Sequence, residues 1–341
     1  MIVNPVKMSL KVGLPKKLKW GVAFDKNFEL QSFFSAFQLL GKSKIISIYS
    51  NVLCEAKEIA ERNGIANFTD DFNSFLQNDH DVIYLADNSE KLFHHAKEIL
   101  TNRKNLICEK PILLSSQECL SLHDFANANQ STVVVNYSHR YNPLVQKTKE
   151  LISKQVLGKI FSISITYSID LIPDESFTYK SKLSGKSVLR DLGTQMIDLL
   201  RYLAGEVQEV KSYSDNLLYK NTGNDFVNAV IKLENDIYAN MTISYLSKKP
   251  INKIEILGLN GTITLENIFD KKKAPTRLSI DLIGEAKKKF RKKVNKTLAM
   301  LRNSQKVFTG KEMSPTSFYD AAMTMKIIEE IEIQNKLSEK N

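Results

Sequence analysis

Three polar side chains in the segment RDLGTQMIDLLRYLAG have a spacing that could place them in one site. Asp191, Gln195 and Asp198 are four and three residues apart, so a helix would present all three on one face. A carboxylate such as that of Asp191 can accept a hydrogen bond or a proton from a substrate hydroxyl. The amide of Gln195 donates and accepts hydrogen bonds but does not titrate in the physiological range. We therefore expect Gln195 to orient a hydroxyl rather than to transfer its proton.

The elements before this segment alternate regularly between two patterns. Short apolar runs (LKWGVAF, KIISIYS, DVIYLAD, NLICEKP and STVVVNY) are separated by stretches with helical periodicity. This alternation is typical of a doubly wound parallel sheet with right-handed crossovers. Such sheets bind ligands at the carboxyl ends of their strands. The sequence therefore predicts a site built from the segments that follow these strands, at 24–27, 50, 87–89 and 109–111.

The pattern changes beyond Asn142. A helix and the strand KIFSISITYSID lead to the segment with Asp191, and the strands EVQEVKSYS, DFVNAVIKLEN, DIYANMTISYL, KIEILG and GTITLEN follow through short turns. This order predicts an α+β domain with a large, open, predominantly antiparallel sheet. We divide the chain into an N-terminal extension at 1–16, a doubly wound domain at 17–138, an α+β domain at 139–315 and a closing helix at 316–341. Because sheet faces of this size are usually buried, we expect a homo-oligomer that forms through the open sheet.

Composition narrows the class of protein. The chain has 341 residues, of which 43% are hydrophobic and 25% charged, and this is globular composition. Its three cysteines lack CxxC spacing, so we predict neither a disulfide framework nor a metal site, and we expect a reducing, cytoplasmic compartment. No apolar run approaches membrane-spanning length, and the N-terminus lacks the apolar core of a secretory signal.

The net charge of +10 is concentrated in one segment. Between 271 and 311, fourteen lysines and arginines accompany two acidic residues. The spacing of Ala286, Phe290, Val294, Leu298 and Leu301 predicts an amphipathic basic helix over 284–302, within an insertion at 270–313. Two interpretations remain open: a solvated helix that packs on its own domain, or a helix that binds an anionic membrane surface. Nucleic acid is less favoured because aromatic residues are not interleaved with the charge.

Four segments, in their order and spacing, resemble the glucose-fructose oxidoreductase and inositol dehydrogenase family (Gfo/Idh/MocA). They are CEKPI (108–112), NYSHRYNPLV (136–145), GKSVLRDLGTQMIDLLRYLAG (185–205) and GLNGTITLEN (258–267). The resemblance implies a Rossmann-like, dinucleotide-binding domain at 17–138 and a substrate domain after it. It also implies an enzyme that uses NAD or NADP to oxidise or reduce a CH–OH group of a sugar, polyol or nucleotide-sugar.

The resemblance assigns catalytic roles to Lys110, Asp191 and Gln195, with Gln195 at the position where the family has a histidine. Lys110 would act as acid or base, Asp191 would tune or position it, and Gln195 would hold the substrate hydroxyl. The implied substrate-binding residues are Lys110, Tyr137, His139, Arg140, Asp191 and Gln195. For His139 the alternative is a structural role in which it satisfies backbone carbonyls.

The resemblance also indicates a set of cofactor-binding positions. They are Phe24, Lys26, Asn27, Ser50, Asp87, Asn88, Ser89, Glu109, Lys110 and Pro111. Phe24 and Lys26 occupy the positions of the glycines in a G-x-G motif, and Ser50 stands where an acid usually binds the adenosine ribose. Two functions stay open. The first is an enzyme that holds NAD(P) in an altered pose. The second is a non-catalytic protein that binds a sugar or nucleotide-sugar and acts at a membrane surface in glycan biosynthesis.

Overall fold

The computed structural model describes most of the chain. The described residues are 17–25, 28, 30–87, 89–110, 112, 114–171, 188–218, 224–269 and 274–338. The predicted N-terminal extension, 1–16, lies outside the described residues.

A six-stranded parallel sheet forms the first half of the molecule. Its strands are β1 (Leu18–Phe24), β2 (Ser43–Ser50), β3 (Asn67–Thr69), β4 (Val82–Ala86), β5 (Asn105–Cys108) and β6 (Val133–Val135). They are ordered β3-β2-β1-β4-β5-β6, and every pair is parallel. The intervening helices are α1 (Gln31–Phe37), α2 (Leu53–Arg62), α3 (Phe72–Leu76), α4 (Leu92–Thr101) and α5 (Ser116–Ala128). The doubly wound sheet that the alternating pattern predicted is confirmed.

An eight-stranded sheet forms the second half. A 3₁₀ turn (Ser138–Tyr141) and α6 (Pro143–Ser153) lead to β7 (Ile160–Asp170), a π-helical turn (Leu189–Gly193) and α7 (Thr194–Ala204). The remaining strands are β8 (Val207–Asp215), β9 (Phe226–Leu233), β10 (Tyr238–Ser244), β11 (Leu246–Gly258), β12 (Gly261–Glu266), β13 (Thr276–Leu282) and β14 (Lys288–Lys292). The order is β14-β13-β12-β11-β7-β10-β9-β8; β7 and β10 are parallel and the other pairs are antiparallel. The predicted open, mostly antiparallel sheet is confirmed.

Side chains of this sheet alternate between a buried and a more exposed face. On β9, Val227, Ala229 and Ile231 are buried, whereas Asn228 and Val230 point to the opposite side. The buried face packs against α7 and the long C-terminal helix α9 (Phe318–Ser338). We call the opposite, more exposed side the outer face.

The predicted basic helix over 284–302 is wrong. Lys288–Lys292 form the edge strand β14, which pairs antiparallel with β13, and a separate helix α8 (Lys296–Phe308) begins after Asn295. The spacing of four between Ala286 and Phe290 fits a helix, but four is also a multiple of the strand period of two. Phe290 lies opposite Leu278 in the sheet, so pairing with β13 decided between the two structures. In the described parts of the chain, no helix combines the length and the apolar character that crossing a membrane requires.

Candidate active site

The segment with Asp191 enters its helix through an unusual turn. Leu189–Gly193 are wound as one π-helical turn, which is a conformation often found at functional sites. A Cβ atom on Gly193 would lie 2.9 Å from Leu189 Cδ1 and 3.2 Å from Ile243 Cδ1. The turn therefore packs closely on β10, and this contact fixes where Asp191 and Gln195 emerge at the start of α7.

Lys110 joins the parallel-sheet half of the molecule to this helix. It lies two residues beyond β5, and its Nζ donates a hydrogen bond of 2.7 Å to Gln195 Oε1. Because a lysine ammonium only donates, the amide oxygen of Gln195 must face it, and the amide nitrogen faces the Asp191 carbonyl at 3.4 Å. Two of the predicted catalytic residues, far apart in sequence, are therefore in direct contact, with the third one helical turn away.

Tyr245 holds the carboxylate of Asp191 and was not predicted from the sequence. Its hydroxyl donates to Asp191 Oδ2 at 2.9 Å, and the residue is only 2% exposed. Burial, together with the neighbouring Asp191, raises the pKa of Tyr245, so the phenol keeps its proton. Its position directly after β10, in DIYANMTISYL, gives no sequence signal that separates it from other strand-end aromatics.

Asp198 does not join Asp191 and Gln195, although the spacing had grouped them. It is fully buried and accepts hydrogen bonds from His139 Nε2 at 2.7 Å and from Arg140 Nε at 2.9 Å. Burial alone would raise the pKa of Asp198, but Arg140 and His139 hold it below its usual value. Arg140 also reaches Asp320 at 3.0 Å, so this carboxylate belongs to a network that ties α7 to α9.

The same network contains the predicted substrate-binding residues of the NYSHRYNP segment. Tyr137, His139 and Arg140 are all at most 6% exposed. Burial lowers the pKa of His139, and the hydrogen-bond partner of its Nε2 is a carboxylate rather than a backbone carbonyl. These contacts support a role in positioning α7; binding of substrate by these residues stays a prediction.

Glu109 shapes the turn that presents Lys110. One carboxylate oxygen accepts hydrogen bonds from the Tyr84 hydroxyl and the Asn136 amide, and the other accepts from the Lys110 backbone N–H at 3.0 Å. Burial raises the pKa of Tyr84 well above its usual value, with Glu109 adding to the effect, so Tyr84 remains a donor. One carboxylate thus joins the middle of β4 and the end of β6 to the turn that follows β5.

A second group of polar residues lies where β1, β2 and β4 end. The shallow pocket there is bordered by Asp25, Tyr49, Asn51, Asp87, Ser89, Lys91 and His95, together with Phe24 and Leu85. Asp87 accepts from the Ser89 N–H and pairs with His95 Nδ1, both at 2.7 Å. Ser50 is fully buried and accepts from the Val52 N–H at 3.4 Å, so Asn51 reaches the pocket instead. The sequence had not singled out His95, which lies in the apolar stripe of α4.

Gly21 and Phe24 of β1 pack in the core of the parallel-sheet half. Phe24 is 5% exposed and belongs to the apolar cluster that contains Trp20 and Phe33. A Cβ on Gly21 would lie 2.7 Å from both His80 Nε2 and Phe75 Cζ, so a larger residue there would have to displace these buried rings. Four predicted cofactor positions (Lys26, Asn27, Asn88 and Pro111) lie outside the described residues.

The described residues around Lys110 suit the nicotinamide end of a dinucleotide better than the pocket at the ends of β1 and β4 suits its diphosphate. The Glu109–Lys110 turn and the start of α7 bring a donor, an amide and a carboxylate together beside the sheet edge. The pocket at the ends of β1 and β4 offers hydrogen-bonding groups for a nucleoside, but it places Asp25 and Asp87 where a diphosphate would add further negative charge. Lys91 also borders this pocket.

Comparison with protein-family models assigns both halves. Residues 21–137 match an oxidoreductase family with an NAD-binding Rossmann fold, and residues 145–264 match the GFO/IDH/MocA C-terminal domain. The two matches together span more than two thirds of the chain. The chain belongs to the Gfo/Idh/MocA family. Its Rossmann domain is accordingly of the NAD-binding type.

Relatives of this Gfo/Idh/MocA protein include sugar dehydrogenases. Oxidoreductase P35 of Formosa agariphila is 25% identical over 208 residues, which are 59% of this chain and 65% of that protein. Levoglucosan dehydrogenase of Pseudarthrobacter phenanthrenivorans is 29% identical over 164 residues, 46% of this chain and 42% of the relative. The matches thus span less than two thirds of either relative. A solved structure of a levoglucosan dehydrogenase with NADH and levoglucosan has the same fold, with a TM-score of 0.81, 19% identity and coverage of 93% of this chain and 96% of the other.

Proposed function

We propose that the protein is an NAD(P)-dependent oxidoreductase that acts on a CH–OH group of a sugar, polyol or nucleotide-sugar. The hydrogen bond between Lys110 Nζ and Gln195 Oε1 carries this proposal, because it joins the turn after β5 to the helix that presents Asp191. The sugar dehydrogenases among the relatives support the substrate class.

Lys110 is the group that we assign to proton transfer. A bound nicotinamide would supply the hydride acceptor or donor for the carbinol carbon. In the oxidation direction, neutral Lys110 accepts the hydroxyl proton; in the reduction direction, its ammonium returns a proton to the oxygen. Gln195 holds Nζ in place without exchanging a proton, and Tyr245 fixes the Asp191 carboxylate at the same end of the cleft.

A binding protein without redox activity is the second candidate. The observation that favours it is the pair of carboxylates, Asp25 and Asp87, in the pocket at the ends of β1 and β4. Such a pocket suits sugar hydroxyls, which donate to carboxylates, better than it suits a diphosphate.

The two candidates separate in a titration of the purified full chain, freed of carried-over ligand, with NADH and NADPH by calorimetry. The enzyme proposal expects micromolar binding of one cofactor, followed by reduction of NAD⁺ or NADP⁺ with members of a sugar and polyol panel. Absence of binding up to millimolar cofactor would contradict the enzyme and leave the binding protein. The sugars alone, titrated in the same way, would then report what the cleft holds.

We also propose a homo-oligomer that forms through the outer face of β8, β9 and β10. Tyr213, Val230 and Tyr238 all point to this face, and their side chains are 81%, 46% and 50% exposed. An apolar group of this kind on a sheet face is usually covered in the assembled protein. Analytical ultracentrifugation of wild type and of Val230→Lys would show whether the oligomer dissociates.

The proposal also includes a cytoplasmic location. It further divides the chain at 138/139, between the dinucleotide-binding domain and the α+β domain. The thiols of Cys54, Cys108 and Cys119 are all free, which suits a reducing compartment. The division falls between the end of β6 at Val135 and the start of α6 at Pro143.

A further inference from the structure

The last two strands of the second sheet carry a group of basic side chains on the outer face. Arg277 of β13 lies directly opposite Arg291 of β14, and Lys289 lies opposite Ser279. The inward-facing neighbours Leu278 and Ile280 are buried, so these three basic side chains share the outward side. Lys293 follows immediately and is also exposed. We call Arg277, Lys289, Arg291 and Lys293 the basic edge.

Contacts between described residues of the sheet neutralise only Arg277 among the four members of the basic edge. Like charges directly opposite each other on neighbouring strands destabilise the pair, and Arg277 and Arg291 have this arrangement. Arg277 has one ion-pair partner, Glu266 of β12, at 4.0 Å. The acids nearest to β14 pair with other lysines: Asp281 with Lys287 at 2.9 Å, and Glu285 with Lys288 at 2.7 Å. Within the described part of the chain, no ion pair is found for Lys289, Arg291 or Lys293. The arrangement is favourable when an external anionic surface neutralises it.

Two large apolar side chains lie in neighbouring turns at one end of strands β11 to β14. Leu259, in the turn between β11 and β12, is 64% exposed, and Ile283, in the turn between β13 and β14, is 79% exposed. The two turns are adjacent, since the Ile283 N–H donates to the Asn260 carbonyl at 3.0 Å. A Cβ on Gly261 would lie 2.1 Å from the Asp281 carbonyl oxygen, so glycine permits this close approach of the hairpins. We call Leu259 and Ile283 the apolar tips.

We propose that the basic edge and the apolar tips form one surface that binds an anionic lipid bilayer. The arginines and lysines neutralise the headgroups, and the leucine and isoleucine enter the boundary between headgroups and acyl chains. The surface lies at the β14 edge of the outer face, and the β8–β10 patch assigned to the oligomer lies at the other edge of the same face.

Two other roles explain the basic edge but not the apolar tips. One is protection of the sheet edge from pairing, and the other is binding of a nucleic acid. A lysine-rich edge strand discourages pairing with other sheets, but that role does not require exposed Leu259 and Ile283. A nucleic acid would neutralise the charge, but it would favour aromatic stacking residues over aliphatic tips. The Phe290 ring is the aromatic group of β14, and it faces the opposite side of the strand, where Lys147 Nζ lies 5.6 Å from its centre.

The test is co-sedimentation of the full chain with vesicles of phosphatidylcholine alone and of phosphatidylcholine with phosphatidylglycerol. We expect binding that requires phosphatidylglycerol and weakens as salt is raised. Replacing Lys289, Arg291 and Lys293 with Gln should lower the partition coefficient roughly hundredfold, about fivefold for each charge. The matched control replaces Lys44, Lys57 and Arg62, which are exposed on the other sheet and its helix, with Gln and should bind as wild type does.

The apolar tips are tested separately. Leu259→Ser combined with Ile283→Ser should weaken vesicle binding roughly tenfold while leaving binding to a short RNA duplex unchanged. Met313→Ser, which removes an apolar side chain that is 90% exposed elsewhere, is the control. The proposal is overturned if anionic vesicles do not bind, or if the triple variant and its control lose binding equally. A second result would also overturn it: the tip variant binds vesicles as wild type does, and the wild-type protein binds RNA as tightly as it binds vesicles. The surface would then be a general polyanion site. Thermal melting of every variant identifies any that are unfolded.

Discussion

The two ends of the cleft are built in different ways. At the Lys110 end, side chains from three separate elements hold one another: Lys110 bonds to Gln195, and Tyr245 bonds to Asp191. At the other end, Asp25 and Asp87 border a pocket whose backbone lacks the glycines of a dinucleotide motif. Hydrogen bonds between separate elements thus fix the side chains at the Lys110 end, whereas two carboxylates border the pocket at the ends of β1 and β4.

The largest expected effect is the loss of Lys110. Lys110→Ala should lower kcat by about 10² to 10⁴, because it removes the proton-transfer group, and it should leave the melting temperature nearly unchanged. Turnover is followed by the absorbance of the reduced cofactor, with the exposed Lys57→Ala on α2 as the control. Unchanged turnover in Lys110→Ala would remove the chemical role from this end of the cleft.

The stability of the parallel-sheet half should depend on pH through the buried His80. Burial lowers the pKa of His80 to about 4, below its ordinary value of 6.5, and the ring packs against Gly21 of β1. The unfolded chain therefore binds a proton at His80 at a higher pH than the folded chain does. As a result, the free energy of unfolding should be constant above pH 6.5 and should decrease by roughly 3 kcal/mol as the pH falls towards 4. Urea unfolding of wild type and His80→Gln across this range should show a shallower pH dependence in the variant. Identical slopes would show that His80 has the same pKa in the folded and the unfolded chain.

Gln195→His tests whether the missing histidine limits the reacting end. A neutral imidazole can accept from Lys110 Nζ and can also titrate, so we expect kcat to rise about tenfold. Gln195→Ala, which cannot hold Lys110, should instead lose activity. If the histidine variant gains nothing while cofactor binding is intact, the site has been adapted to a reaction that does not use a second proton carrier.

Tyr245→Phe removes the donor to Asp191 while keeping the ring in its buried position. Loss of one hydrogen bond to a carboxylate should reduce kcat roughly fivefold and shift the pH profile of kcat/KM. A purely structural tyrosine would change the melting temperature but not the pH profile. Tyr319→Phe, at a position on α9 that is 48% exposed, is the matched control.

The smallest effect is expected at the dinucleotide end. Asp25→Asn removes one carboxylate from the pocket and should tighten binding of both NADH and NADPH by about twofold to fivefold, since the residue is half-buried and screened. Calorimetry at two salt concentrations measures the gain, which should shrink at the higher one. An equal or weaker affinity in Asp25→Asn would show that the diphosphate does not approach this residue.

Much of the fold could be predicted from the sequence because its signals are local. Apolar runs that alternate with helical periodicity specified the parallel sheet, and strands joined by short turns specified the open sheet. The segment at 284–302 was mispredicted because a spacing of four suits both helix and strand, and pairing with β13 decided the structure. The motif residues Lys110, Asp191 and Gln195 were identified from their spacing and family resemblance, and the structure brings them together.

The amino-acid sequence alone specifies the set of chemical groups and their order along the chain: a lysine after the fifth strand, and an aspartate and a glutamine one helical turn apart. Tertiary packing selected which of these groups meet. It drew Asp198 into the buried network of Arg140 and His139, brought Tyr245 to Asp191, and placed His95 beside Asp87. These contacts join residues from different helices and strands, so they depend on how the elements pack and not on local periodicity.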